Sequence, residues 1–159
     1  MKTQRNKRLI KKKMVPNSSV ILYTPYPPNR HDTCGYTASC FLLLYYHRKF
    51  GGFVPGEFLN RRGALFTTGY TLQDALLQLG EKNLTWGGSI AKVLNLYFEK
   101  NGIKAKACYR LFGFGARRRV KAGTPVILFG NMWDKKENRI NHAVLAYGLS
   151  YEKKITRFI

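Results

Sequence analysis

The most regular pattern of apolar positions in this chain of 159 residues lies between Ser89 and Gly102. Apolar side chains recur there at positions i, i+3, i+4, i+7 and i+8, which is the spacing of one face of an α-helix. The residues that carry this spacing are Ile90, Val93, Leu94, Tyr97 and Phe98. Ser89 is the expected N-cap of this helix, and Gly102 is its expected end.

Two further helices are predicted upstream of this one. Thr71 and Asp74 form a capping-box pattern for a helix over residues 72–79 that stops at Gly80. The stretch 35–47 is apolar on nearly all sides, which is typical of a helix buried at the centre of a domain.

Short apolar or alternating runs predict strands elsewhere in the chain. The predicted strands cover residues 20–23, 103–109, 124–129, 142–147 and 153–159. A Gly-rich and then basic connector is expected over 111–122, and a polar loop over 130–141. This order of elements predicts an α+β domain.

The first residues of the chain differ from the rest in composition. Residues 1–19 combine high charge with low hydrophobicity, so we expect a basic, poorly ordered arm ahead of one domain over residues 20–159. No apolar run has the length of a membrane span, and polar residues interrupt the short apolar stretch that could act as a signal peptide. A soluble domain is expected, with its compartment left open.

The charge of the chain is strongly positive. Lys and Arg total 28 against 8 acidic residues, which gives a formal net charge of +20. Such a charge attracts nucleic acid, anionic membrane or acidic protein, but neither zinc-finger spacing nor an RNA-binding aromatic signature accompanies it. A solvated basic surface and an electrostatic binding surface both stay open as interpretations.

Three cysteines are present, Cys34, Cys40 and Cys108. They cannot form a complete disulfide framework, and no CxxC pair indicates zinc binding or redox exchange. Cys40 and Cys108 are predicted to be small, buried apolar residues.

Cys34 stands at the predicted start of the buried helix. The helix dipole and the unpaired N–H groups of a first turn favour a thiolate, Asp32 and Thr33 can cap that turn, and Gly35 lets a substrate approach closely. Cys34 is therefore a candidate nucleophile, although a lone cysteine near a helix start is more often structural.

Two blocks of sequence resemble papain-like bacterial cysteine peptidases, especially the family that processes bacteriocins by cleaving leader peptides after Gly-Gly. The first block, residues 31–46, reads HDTCGYTASCFLLLYY, with Cys-Gly followed by small residues and an apolar helix ending in Tyr-Tyr. The second comprises KAGTPVILF at 121–129 and NHAVLAYG at 141–148, which resemble the family's Gly-x-Pro-Val and His-Ala-Val strands. The resemblance covers roughly residues 26–151. It implies a papain-like fold, in which an N-terminal helical part carrying the nucleophile helix packs on a C-terminal antiparallel β-sheet.

The resemblance also implies roles for individual residues. Cys34 would be the nucleophile and His142 its base, which together can form a thiolate–imidazolium pair. His142 is expected to open an apolar strand, where its side chain reaches a cleft. His31 and His47 are weaker candidates, for which surface or core roles are expected.

Two further parts of such a site are less clear in the sequence. The family's oxyanion donor is a Gln shortly before the nucleophile, and Asn29 is nominated for that role, with an ordinary turn asparagine as the alternative. The family orients its histidine with an Asp or Asn on the following strand, but Arg157, Phe158 and Ile159 occupy that region, and Asn141 and Asp134 come too early. Either the chain is truncated at its C-terminus, or a Cys–His pair acts without an orienting residue, or the domain is a non-catalytic relative.

The expected function is a cysteine peptidase that hydrolyses peptide bonds through an acyl-enzyme, without a metal or an organic cofactor. By resemblance, its substrate is an extended peptide or protein segment with small residues at the cut. The alternatives are a catalytically impaired papain-like domain that binds peptides and a basic module that binds nucleic acid or membrane. The oligomeric state is left open.

Overall fold

The computed structural model of the protein describes residues 11–25, 33–80, 86–133, 139–152 and 155–159. The α-helices within these ranges are α1 Ser19–Leu22, α2 Cys34–Phe50, α3 Leu72–Leu77, α4 Gly87–Lys100 and α5 Ala116–Lys121. The strands are β1 Lys11–Met14, β2 Val126–Trp133, β3 Arg139–Ala146, β4 Gly148–Glu152 and β5 Ile155–Phe158. Two 3-10 helices, Gly56–Phe58 and Leu111–Gly113, complete the described elements.

The strands form two small antiparallel sheets. One has the order β1–β4–β5, and the other is the hairpin β2–β3. Helix α2 packs against both strands of the hairpin and against α1, α3 and α4. The mixed composition of helices and antiparallel sheets confirms the α+β class.

Helix α2 is the central helix of the domain, as its all-round apolar sequence predicts. Its buried residues include Tyr36, Cys40, Leu43 and Leu44, which pack in one core cluster with α3, α4 and Ala143 of β3. Tyr45 of the same helix belongs to a second cluster of buried residues. That cluster contains Val15, Ile21, Tyr45, Val120, Ala146 and Leu149. The helix thus joins the two cores, and its first turn is held between α3 and the hairpin.

The predicted helices α3 and α4 are present with small shifts at their ends. The capping box between Thr71 and Asp74 forms in both directions, and the five apolar residues of α4 are all buried. Gly102 follows α4 with a φ of 64°, a left-handed conformation that glycine adopts without strain. The expected N-cap is wrong: α4 starts at Gly87, so Trp86 is the N-cap and Ser89 lies in the first turn.

The expected poorly ordered arm over residues 1–19 contains regular structure in its described part. Lys11–Met14 pairs with β4, Val15 is 2% exposed, and the Val15 N–H donates to the Tyr147 carbonyl at 2.8 Å. The charged side chains of β1 stay exposed while its backbone satisfies the edge of β4, which is why composition alone misses this strand. Residues 1–10 lie outside the described residues.

Three other local predictions are wrong. Residues 20–22 belong to the helical turn α1, which Tyr23 caps, and not to a strand, because packing of Ile21 in the second core overrides the strand propensity of Val and Ile. The connector over 111–122 contains a 3-10 helix and α5, whose Ala116 and Val120 are buried. The hairpin strands extend into the expected loop 130–141, reaching Trp133 on one side and Arg139 on the other.

The alternating segment 103–109 is also not a strand. Its backbone is held by a side chain: Asn95 of α4 donates to the Ala107 carbonyl at 3.0 Å and accepts from the Ala107 N–H at 2.8 Å. Cys108 lies on this segment and is exposed, so the prediction that it is buried is wrong, whereas Cys40 is fully buried. No helix within the described residues is long and apolar enough to cross a membrane.

Candidate active site

Cys34 is the first residue of α2. The preceding residue, Thr33, occupies the N-cap position and is buried, but its side chain makes no capping hydrogen bond. Cys34 itself is half-buried and packs at the margin of the first core. The predicted placement of this thiol at the start of a buried helix is therefore confirmed.

The Cys34 sulfur lies against the backbone of β3. The Ala143 N–H donates to Cys34 Sγ at 3.4 Å, across 109 residues of sequence. Ala143 pairs with Phe129 of β2, so an N–H that reaches Cys34 points to the opposite edge of β3. The nucleophile candidate therefore sits at the free edge of the strand that carries His142.

This contact fixes how far His142 is from the sulfur. Standard peptide geometry places the Cα of His142 no more than about 6 Å from Cys34 Sγ, given the 3.4 Å contact at the next amide nitrogen. Ala143 packs in the core against α2, so the alternation of β3 directs the His142 side chain to the opposite face, and the two residues are neighbours through the backbone of β3. Among the described residues, no hydrogen bond joins the His142 ring to Cys34 Sγ. The fold brings the two residues together, and their side chains stay unpaired.

His142 lies in the middle of β3, and not at the start of the strand as predicted. Its partner in register on β2 is Gly130, and residues directly opposite each other in a sheet share a face. A Cβ built on Gly130 would meet no atom of the described residues within 4 Å. Within this part of the chain, nothing fills the position beside His142 on this face of the hairpin, and the histidine is half-buried rather than enclosed.

Asn141 is poorly placed to orient His142. Successive side chains in a strand point to opposite faces, so Asn141 and its register partner Asn131 lie on the face away from the His142 side chain. Within the described part of the chain, no carboxylate or amide is hydrogen-bonded to His142. The oxyanion candidate Asn29, together with His31, Asp32 and Asp134, lies outside the described residues.

A buried polar chain supports the first turn of α2. Gln73 of α3, only 2% exposed, donates through Nε2 to Thr37 Oγ1 at 2.8 Å. Thr37 Oγ1 in turn donates to the Thr33 carbonyl at 3.1 Å. This chain links α3 to the residue directly before Cys34, and it gives a buried amide the partner it needs.

The remaining titratable candidates have structural roles. His47 Nδ1 accepts a hydrogen bond from the Val54 N–H at 3.0 Å, which fastens the loop after α2, and the side chain is half-buried. Burial raises the pKa of the Cys40 thiol far above its usual value, with a smaller contribution from the negative charge of Asp74. Cys40 is therefore inert as a nucleophile, whereas Cys108 is exposed.

Sequence reasoning missed four residues that shape this site: Ala143, Gly130, Gln73 and Thr37. The small residue after His142 and the glycine in an otherwise apolar strand were visible signals, because each allows close approach or leaves space. Gln73 and Thr37 gave no signal, since both fit an ordinary exposed helix surface.

The described residues contain no group of three or more His, Cys, Asp and Glu side chains that could hold a metal ion. Comparisons with family models, with curated proteins and with solved structures return no match for this chain.

Proposed function

We propose that the domain is a papain-like cysteine peptidase in which Cys34 attacks a peptide carbonyl and His142 moves the proton. The observation that carries this proposal is the 3.4 Å contact between Cys34 Sγ and the Ala143 N–H. A thiol at a helix start, held beside a strand histidine, is the arrangement from which a nucleophile and its base are built. The sequence resemblance at both blocks supports the same assignment of roles.

The reaction follows from the roles of the two side chains. His142 takes the proton of Cys34, and the sulfur adds to the carbonyl carbon of the scissile bond. The imidazolium then gives its proton to the leaving amine nitrogen as the C–N bond breaks, which leaves a thioester on Cys34. His142 then takes a proton from a water molecule as its oxygen adds to the thioester carbon. The C–S bond breaks and releases the carboxylic acid product, and the imidazolium returns the proton to the Cys34 sulfur.

The carbonyl oxygen becomes negative during attack and needs hydrogen-bond donors. The N–H groups of a first helical turn have no carbonyl partner within their own helix, so the Cys34 N–H is suited to this role. Asn29 is the second donor in this proposal, on the strength of the resemblance alone. The open face beside Gly130 is the side from which an extended peptide approaches His142.

A second candidate function is peptide binding without efficient hydrolysis. It is favoured by the lack of a carboxylate or amide on His142 among the described residues. An orienting residue fixes the tautomer of the imidazole and stabilises its charged form, and its loss lowers turnover in known triads by orders of magnitude. In this second function the open face beside Gly130 binds the peptide, and Cys34 keeps its reactivity towards small electrophiles.

Alkylation of the three thiols by iodoacetamide at neutral pH tests the pairing. Accessibility alone ranks Cys108 first, because it is exposed while Cys34 is half-buried. Pairing with His142 reverses that order, and we expect Cys34 to react roughly tenfold faster than Cys108. The variant His142→Ala should remove the advantage of Cys34 and leave the rate at Cys108 unchanged.

A peptide library with small residues at the scissile position separates the two functions. Cleavage that is lost in Cys34→Ala identifies the peptidase, whereas retained binding without cleavage identifies the second function. If Cys34 is slower than Cys108 and indifferent to His142, no activated pair exists, and both the peptidase assignment and its mechanism are wrong.

A further inference from the structure

A group of exposed and mainly apolar side chains belongs to segments of the chain other than those that carry Cys34 and His142. Trp86, Tyr109, Arg110, Leu111 and Phe114, here called the aromatic patch, line an open depression of about 450 Å³. Leu111 is 60% exposed and Phe114 is 72% exposed. Soluble surfaces carry single apolar residues of this kind, but a contiguous group indicates a binding surface.

The aromatic patch is held in place by specific packing. The Trp86 and Tyr109 rings meet edge to face, with centroids 5.2 Å apart. A Cβ on Gly87 would stand 2.5 Å from the Tyr109 ring, so glycine at the start of α4 is what allows that ring to approach. The two hydrogen bonds between Asn95 and Ala107 fix the backbone that leads into Tyr109.

The stretch of sequence that carries Tyr109, Arg110, Leu111 and Phe114 has only positive formal charges. Residues 100–133 contain no Asp or Glu, and every Lys and Arg among them is exposed. These residues are Lys100, Lys104, Lys106, Arg110, Arg117, Arg118, Arg119 and Lys121. Exposed apolar side chains combined with basic side chains favour a partner that is both apolar and anionic.

We propose that the aromatic patch docks the protein on the surface of an anionic lipid bilayer. Tryptophan and tyrosine prefer the level of the lipid headgroups, leucine and phenylalanine enter the acyl boundary, and Arg110 together with the basic side chains of the adjoining sequence contacts anionic headgroups. An anionic bilayer therefore offers a favourable environment to every type of side chain in the patch. The proposal does not depend on the chemistry of Cys34.

Stacking of nucleic-acid bases explains the same residues less well. Bases need flat ring faces presented in succession, whereas the Trp86 and Tyr109 rings stand at 86° to each other. Leu111, which is 60% exposed, would also have no defined role with single-stranded nucleic acid, because leucine offers no ring. A bilayer accepts both side chains without a specific geometry.

Co-sedimentation of the full chain with vesicles tests the apolar part of the proposal. We expect binding to phosphatidylcholine vesicles that contain phosphatidylglycerol, and much weaker binding to phosphatidylcholine alone. The double variant Leu111→Ser/Phe114→Ser should bind the anionic vesicles at least about tenfold more weakly, since apolar area is lost from the bilayer. The matched control is Leu22→Ser/Tyr23→Ser, an exposed leucine and aromatic outside the patch, which should bind as the wild type does.

The electrostatic part has its own matched pair. Arg117→Gln/Arg118→Gln should weaken binding and reduce its dependence on salt, whereas Arg61→Gln/Arg62→Gln, two exposed arginines elsewhere, should have a smaller effect. The variant Cys34→Ala should bind vesicles as the wild type does, which separates this proposal from the peptidase.

Lack of binding to anionic vesicles overturns the proposal, as does equal binding by both apolar double variants. Binding of single-stranded oligonucleotides that Leu111→Ser/Phe114→Ser abolishes, with no vesicle binding, would assign the patch to nucleic acid instead.

Discussion

Gln73 of α3 donates a hydrogen bond of 2.8 Å to Thr37 of α2, and this contact ties the two helices together one turn after Cys34. Because Gln73 is buried, removing its partner leaves a polar group without a hydrogen bond in the core. The pair therefore connects the stability of the domain to the position of the candidate nucleophile.

The first prediction concerns this pair. Thr37→Val keeps the shape of the side chain but leaves the buried Gln73 amide without its acceptor, and we expect a loss of about 1–3 kcal/mol in the free energy of unfolding, measured with urea. The control is Thr68→Val, an exposed threonine, which should change stability by less than about 0.5 kcal/mol. Adding Gln73→Met to Thr37→Val should recover part of the loss. Simple additivity of the two substitutions would contradict this coupling.

The second prediction concerns pH and His47. The Val54 N–H can donate to His47 only when the imidazole is neutral, and burial, helped by the charge of Arg48, lowers the pKa of His47 below its usual value of 6.5. The unfolded chain therefore binds more protons at this residue than the folded protein does just below pH 6.5. The stabilising contribution is complete above pH 6.5 and is lost as pH falls through the lower pKa of the folded state.

His47→Asn should remove this dependence, because an amide oxygen accepts the Val54 hydrogen bond at any pH. We expect the difference in unfolding free energy between wild type and variant to shift by up to about 1 kcal/mol as pH falls from 6.5 to about 5. Chemical denaturation across this range measures it. Parallel curves for the two proteins would show that His47 does not titrate with folding.

The third prediction concerns the strand that precedes α1. Val15 is buried among Ile21, Tyr45 and Leu149, so Val15→Ala should cost about 2 kcal/mol in the free energy of unfolding by opening a cavity in the second core. Lys12→Ala on the exposed face of β1 is the control, and it should have little effect. If both variants unfold at the wild-type midpoint, residues 11–15 do not pack in solution.

The fourth prediction concerns the open face beside His142. Gly130→Val places a branched side chain opposite His142, where an added Cβ meets no atom of the described residues within 4 Å, and the strand preference of valine should keep or slightly raise stability. In the proposed peptidase, this side chain narrows the approach of a peptide but not of a small reagent. We expect peptide cleavage to fall by about tenfold or more, while alkylation of Cys34 by iodoacetamide stays near the wild-type rate. Equal loss of both rates would show that the substitution disturbs the Cys34 environment itself.

The sequence predicts well those features that depend on neighbouring residues. The capping box at Thr71 and Asp74 and the buried face of α4 each follow from residues a few positions apart. Cys34 at the start of a buried helix belongs to the same class, because the apolar run after it marks the helix. Each of these predictions is confirmed.

Features that depend on distant partners are harder to predict. The alternation over 103–109 suits a strand, but the backbone of Ala107 is satisfied by Asn95 rather than by another strand. The charged composition of β1 hides its pairing with β4, since an edge strand can keep its side chains in water. His142 was predicted at a strand end, and the strand is longer because residues 139–141 pair with β2. The contact between Cys34 and Ala143 is a relationship between two elements that no local pattern records.

The position of β4 between β1 and β5 has a consequence for the order in which the protein folds. Lys11 pairs with Tyr151, so this sheet closes across almost the whole described chain, and such long-range pairing carries a large loop-closure entropy and forms slowly. During synthesis, α2 emerges long before β3 and β4, and its cysteine meets the Ala143 N–H only when those strands are in place. A nascent or partly folded chain therefore holds Cys34 without its strand partner. In the proposed peptidase, Cys34 therefore gains its contact with β3 only late in folding, and hydrolysis would begin only after these strands are in place.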